Sequence, residues 1–143
     1  MVKLPQKAVL QGAETMSRKP NEWFTQADYD LKSAEIMFDN KRYIHAVFMC
    51  HLSIEKALKG LYAQTLADTP PKTHNLIFLV EKIKIELPEE LYDFISTLNG
   101  VSIPTRYPDE LKKIQKDYNK TKAKALLEKS KETIKCLKKR LQK

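Results

Sequence analysis

Apolar residues recur at spacings of three and four along most of this chain. Trp23, Ala27, Leu31, Ala34 and Phe38 form the first such stripe. That spacing puts the side chains on one face of an α-helix. Pro20 and Asn21 open this helix, Glu22 suits its positive end, and Asn40 closes it. A second helix is expected from about Arg42 to Ala67. Its main stripe is Tyr43, Val47, Cys50, Ile54, Ala57, Leu58 and Leu61. Ile44, Phe48, His51, Glu55 and Tyr62 run beside it as a second stripe. A helix that is apolar on two sides is central in its bundle or packed against another subunit. Asp68-Thr69-Pro70-Pro71 ends it, because consecutive prolines cannot continue a helix.

Thr73 is the expected N-cap of a third helix, with Leu76, Leu79, Val80 and Ile83 turned inward. Pro88, Glu89 and Glu90 open a fourth, which buries Leu91, Phe94, Ile95 and Leu98 and ends at Asn99-Gly100. Val101 to Pro108 reads as extended chain, with a short helical piece around Leu111 to Tyr118. The last helix spans roughly Thr121 to Leu141, with Ala123, Leu127, Ile134, Leu137 and Leu141 inward. Residues 1–16 lack clear periodicity, and residues 1–19 are expected to be a flexible tail, leaving residues 20–143 as one domain. The fold class is all-α, an up-and-down bundle of four to five helices.

Composition agrees with that reading. The chain has 143 residues, enough to bury a core without disulfides or metal. Only 3 of them are Gly, and no Asn-Gly or Asp-Gly hairpin turn is placed for a β-rich fold. Cys50 and Cys136 lack CxxC spacing and are expected to be reduced thiols in helices. No apolar run approaches the ~20 residues of a membrane span. The N-terminus is too weakly apolar for a secretory signal, so a cytoplasmic location is expected.

The net charge of +8 is segregated. Residues 111–143 carry 13 Lys or Arg against 3 Asp or Glu, whereas residues 1–110 carry 13 against 15. The basic last segment could attract nucleic acid or an acidic partner, or simply be a solvated lysine-rich face.

Signatures of common nucleotide and metalloprotease sites are missing: there is no P-loop, GxGxxG or HExxH. No pair of histidines among His45, His51 and His74 has the spacing of a helical metal site, so neither metal nor cofactor is expected. His51 and Glu55 are four apart and can share a helix face. In CHLSIEKALKG, residues 50–60, they lie with Lys56 and Lys59 on a charged strip beside the core stripe. His74 is expected at a helix start, where the dipole disfavours its protonation and where anions bind. Arg106, Tyr107 and Pro108 put a guanidinium and a ring on an extended loop, a common setting for function. Alternatively, Arg106 pairs with Glu55 or another carboxylate and Tyr107 plugs the bundle end.

These motifs occur in a telling order: an aromatic helix start, HLSIEKALKG, a proline break, THNL, TRYP and a long final helix. In that order the chain resembles the HEPN domain family over about residues 20–141. The resemblance implies a four- or five-helix bundle that usually dimerises. It further implies either of two roles. Many such proteins act beside a separate minimal nucleotidyltransferase and were proposed to help bind its substrate. Others are toxin endoribonucleases of toxin–antitoxin pairs. His51, Glu55, Lys56 and Lys59 fall on the family's second-helix motif, His74 on its helix-start histidine, and Arg106, Tyr107 and Pro108 on its loop motif.

The ribonuclease branch carries an arginine followed four to six residues later by a histidine. Here Arg42 and His45 are three apart, and no histidine follows Arg106. The leading expectation is therefore a non-catalytic module that binds a nucleotide or substrate through His51, Glu55, Lys59, His74, Arg106 and Tyr107. An endoribonuclease with His51 as base, or a basic nucleic-acid-binding bundle, are the alternatives. A homodimer through Ile44, Phe48 and Tyr62 is also expected.

Overall fold

The computed structural model describes residues 19–101 and 108–141, with the backbone alone at 108–111. Within them the chain forms six helices and no strand: α1 (Pro20–Asp39), α2 (Tyr43–Leu66), α3 (Leu76–Ile83), α4 (Glu89–Asn99), α5 (Pro108–Asp117) and α6 (Lys120–Lys138). The all-α reading holds. The short piece anticipated near Leu111 is a complete helix, which brings the number to six. The expected tail and most of the Val101–Pro108 stretch lie outside the described residues.

α1 and α2 pack together more extensively than any other pair. Their connection is so short that they must run antiparallel. Lys41 makes the reversal in the left-handed region, at φ 64°. The two helices also approach closely at Gly60. A Cβ there would lie 2.9 Å from Phe24 Cδ2 and 3.0 Å from Trp23 Cβ. Further along the seam the Ser53 hydroxyl donates to the Ala27 carbonyl at 2.7 Å.

α2 is the central element, as its double stripe implied. It touches α1, α3, α5 and α6, and half of its residues are buried. Around Cys50, Ile54, Leu58 and Leu61 the core gathers Phe24 and Ala27 of α1, Leu76 and Leu79 of α3, Ile95 and Leu98 of α4, and Leu127, Ile134 and Leu137 of α6. Two buried positions of α1 depart from the simple stripe. Phe24 lies deeper than its neighbour Trp23, and Asp30 is buried because Lys56 reaches it across the seam at 2.8 Å.

α3 begins two residues later than the sequence suggested. Asn75 is its N-cap, accepting from the Phe78 amide at 3.0 Å. Thr73 instead accepts from the Asn75 amide in the turn before it. Asn75 wins because Asn99, at the end of α4, accepts from the Leu76 amide at 2.7 Å and donates to Asn75 at 3.3 Å. One side chain per helix end thus satisfies amides that the first turn of α3 leaves unpaired.

α6 closes the bundle. Its basicity is partly internal to the fold: Lys131 pairs with Glu35 at 2.7 Å, Lys138 with Asp28 at 2.8 Å, and Lys129 with Glu90. Past its end, Arg140 donates to the Glu86 carbonyl at 2.6 Å, and its own carbonyl accepts from Gln64 at 2.9 Å. Among the described residues no helix is long and apolar enough to cross a membrane.

Candidate functional site

Helical spacing alone brings three of the expected site residues together. His51, Glu55 and Lys59 are each four apart in α2, so they stack along one side of it. All three are buried, at 1%, 4% and 8% exposure. Charges are seldom buried unless paired, and here the pairing is internal. Lys59 Nζ donates to Glu55 Oε2 at 2.9 Å. The same ammonium stands 6.0 Å from the centre of the Trp23 ring, which covers it from α1.

The fourth member arrives from elsewhere in the chain. His74, in the turn before α3, places Nδ1 2.9 Å from Glu55 Oε1. A carboxylate only accepts, so Nδ1 carries the hydrogen, and in the neutral ring Nε2 is left as an acceptor. The His74 side chain is 77% exposed, while the carboxylate that fixes it is enclosed. His74 lies just before the start of α3. It precedes the capping Asn75, and its ring is held by Glu55.

His51 occupies the inner end of the cluster. Its Nδ1 is 3.8 Å from Glu55 Oε1, an electrostatic contact rather than a hydrogen bond. Its Nε2 is buried without a hydrogen-bond partner among the described residues. Burial depresses the proton affinity of this imidazole below the ordinary value, although the Glu55 carboxylate opposes the effect. His51 is thereby favoured as a neutral ring.

Lys56, on the same motif, points away from this cluster to Asp30. Arg106 and Tyr107 lie outside the described residues. Two participants were not anticipated. Trp23 was assigned to the core stripe, yet its ring also lies beside Lys59. Asp30 had no signal at all, because nothing in a single helix shows that a carboxylate will meet Lys56 of the next one.

Chemically, the site is one enclosed carboxylate serving a lysine and an exposed histidine, with a second, neutral histidine behind it. The Lys59 charge is balanced by Glu55. The arrangement therefore offers directed hydrogen-bonding edges rather than net positive charge. Among the described residues no three His, Cys, Asp or Glu side chains are arranged to hold a metal ion.

A helical bundle built around a central helix that carries a buried His-Glu-Lys series defines the class of protein. Its family follows from comparison: the HEPN domain matches residues 20–141, and the chain belongs to that family. Among solved structures it is similar to TT1696 from Thermus thermophilus, at 25% identity and a TM-score of 0.71. That match covers 85% of this chain and 98% of the other. It is also similar in fold to ST0689, an archaeal HEPN homologue, at 21% identity and a TM-score of 0.69, over 87% and 99% of the two chains. No curated protein matches the sequence.

Proposed function

We propose that this HEPN protein is a binding module that takes a nucleotide or nucleotide-bearing substrate at the Glu55 cluster, acts with a separate nucleotidyltransferase and performs no catalysis of its own. The observation that carries this reading is the enclosed Glu55 carboxylate, which fixes the exposed ring of His74 at 2.9 Å in front of the buried imidazole of His51. A neutral imidazole and a tautomer-fixed one match the mixed donor and acceptor edge of a base or a ribose hydroxyl. They suit a phosphate less well, since Glu55 cancels the charge of Lys59. Arg106 and Tyr107 belong to the proposed site through the family's loop motif. The missing arginine–histidine spacing supports a non-catalytic role.

Titration with ATP and GTP, followed by NMR, tests the reading. Shifts should centre on His51, Glu55 and His74 and vanish in Glu55→Gln. Shifts confined to α6, or none with either nucleotide, overturn it. A nucleotidyltransferase reading frame beside this one would support the partner.

One observation favours a ribonuclease as the second reading. The Glu55–His74 pair leaves an exposed ring nitrogen poised as a base, a better-placed one than the enclosed His51. RNA cleavage by the wild type that is lost in His74→Ala would replace the first reading with this one.

The proposed assembly is a homodimer. Tyr62 packs against the core, while Ile44 and Phe48 of the second stripe stay only half-buried and available to a second copy. A monomer mass by light scattering at all concentrations would exclude it.

A further inference from the structure

The lysines of α6 that pair with Glu35, Asp28 and Glu90 all lie in its middle or its end. Those at its beginning have no carboxylate partner among the described residues. Residues 112–124 hold six lysines, at 112, 113, 116, 120, 122 and 124, against the single acid Asp117. All six are exposed, and none has a carboxylate partner among the described residues. Lys112, Lys113 and Lys116 share one side of α5, and Lys120 and Lys124, four apart, share one side of α6.

Lys116 lies in the last turn of α5, where the helix dipole suits a cation, but the placement at the start of α6 works against the fold. The first turn of α6 contains no acid and two lysines, at the end where the helix dipole is already positive. Helix stability would favour carboxylates there. A concentration of like charge that opposes local stability implies an external polyanion.

We infer that the α5–α6 turn is a docking strip for the phosphate backbone of a nucleic acid strand. Two other polyanionic partners fit less well. A membrane surface would need an apolar helix face to insert. In α5 that face is used by the bundle, with Ile114 half-buried and Tyr118 against the core. An acidic protein would need an apolar anchor beside the charges. Among the described residues the exposed large apolar ones, Tyr29, Ile36, Leu66, Phe78 and Tyr92, all lie on α1 to α4. Tyr118, the one aromatic of residues 112–124, packs against the core with Lys122 Nζ 5.7 Å from its ring centre, so the lysines are left to grip phosphates and read no sequence. The strip is independent of whatever occupies the Glu55 cluster.

The test is fluorescence anisotropy with a short labelled single-stranded RNA and a DNA of the same sequence, using the full chain. Both should bind with similar affinity. If all six lysines engage, log K should fall with log salt at a slope of about −4. The double variant Lys116→Glu/Lys120→Glu should weaken binding at least tenfold and make the slope shallower by about 1.4. Lys135→Glu/Lys139→Glu removes the same net charge from lysines at the far end of α6 that have no carboxylate partner among the described residues, and should change affinity far less. Thermal melts should show the strip variant folded and no less stable than wild type. Equal losses in the two variants would mean net charge alone, and would overturn the proposal. So would binding to phosphatidylserine–phosphatidylcholine vesicles with none to RNA or DNA.

Discussion

His74 Nδ1 sits 2.9 Å from Glu55 Oε1, joining the turn before α3 to the middle of α2 across 19 positions of sequence. The same carboxylate holds Lys59 through its other oxygen. Glu55 is therefore the hub of the cluster, and its removal should show in both stability and geometry. Glu55→Gln keeps the shape but leaves the Lys59 ammonium enclosed without a counter-charge. The expected loss is on the order of 3 kcal/mol by urea denaturation. Lys59→Met likewise leaves the Glu55 carboxylate enclosed without its cation and should cost a comparable amount, whereas the double variant Glu55→Gln/Lys59→Met should cost less than the two losses added. Strictly additive losses would show that the pair is held by packing rather than charge.

The depressed proton affinity of His51 makes stability depend on pH. Its folded value lies below the ordinary 6.5, so the unfolded chain binds the proton more readily. The contribution is complete above about pH 6.5 and is lost as pH falls through the folded value. Thermal melting should therefore decline on acidification in the wild type and decline less over the same window in His51→Gln. Glu35 acts at lower pH. Its hydrogen bond to Lys131 lowers the carboxyl below 4.5, so that contribution fades only as pH falls below that value. Identical profiles for wild type and His51→Gln would remove His51 from the account.

α1 and α2 approach closely at Gly60. Alanine is the better helix former by about 1 kcal/mol. Here its methyl would press on Phe24 and on Trp23 Cβ at or below 3.0 Å, and overpacking costs about 1–3 kcal/mol. The clash should win, and Gly60→Ala should destabilise the protein and shift the Trp23 fluorescence. A stabilised variant with unchanged emission would mean that the seam opens without resistance.

The two thiols should behave differently. Cys50 is fully buried, and burial pushes its pKa up to about 11. Cys136 is partly exposed. A disulfide reagent at neutral pH should modify one thiol quickly in the native protein and the second only on unfolding. Rapid modification of both would contradict this core.

Much of the fold was legible because it is local. Periodicity located α1 and α2, and the two-sided stripe of α2 marked the central helix before any packing was known. The i, i+4 relation of His51, Glu55 and Lys59 was legible for the same reason. What a single helix cannot show is its neighbour. The burial of Asp30 depends on Lys56, and the deeper seat of Phe24 than of Trp23 depends on how α1 meets α2. The Glu55–His74 bond depends on where the Pro70-Pro71 break returns the chain. Segment charge pointed to the last helix as the basic surface. It could not reveal that Lys129, Lys131 and Lys138 answer carboxylates of α1 and α4.

The position of His74 also depends on the cap beside it. Asn75 accepts from the Phe78 amide and from Asn99, and Asn99 accepts from the Leu76 amide. Asn75→Ala and Asn99→Ala should each cost about 1 kcal/mol, typical of a lost cap. The two losses should not add, because each mutation also removes the bond between the two side chains. The turn carrying His74 is anchored on one side by this pair and on the other by Glu55. Loosening the cap should therefore weaken the Nδ1 bond, seen as a shift and broadening of the His74 ring signals in NMR at constant pH. Unchanged ring signals in both variants would show that Glu55 alone holds His74. In that case nucleotide affinity should follow Glu55→Gln and ignore the asparagines.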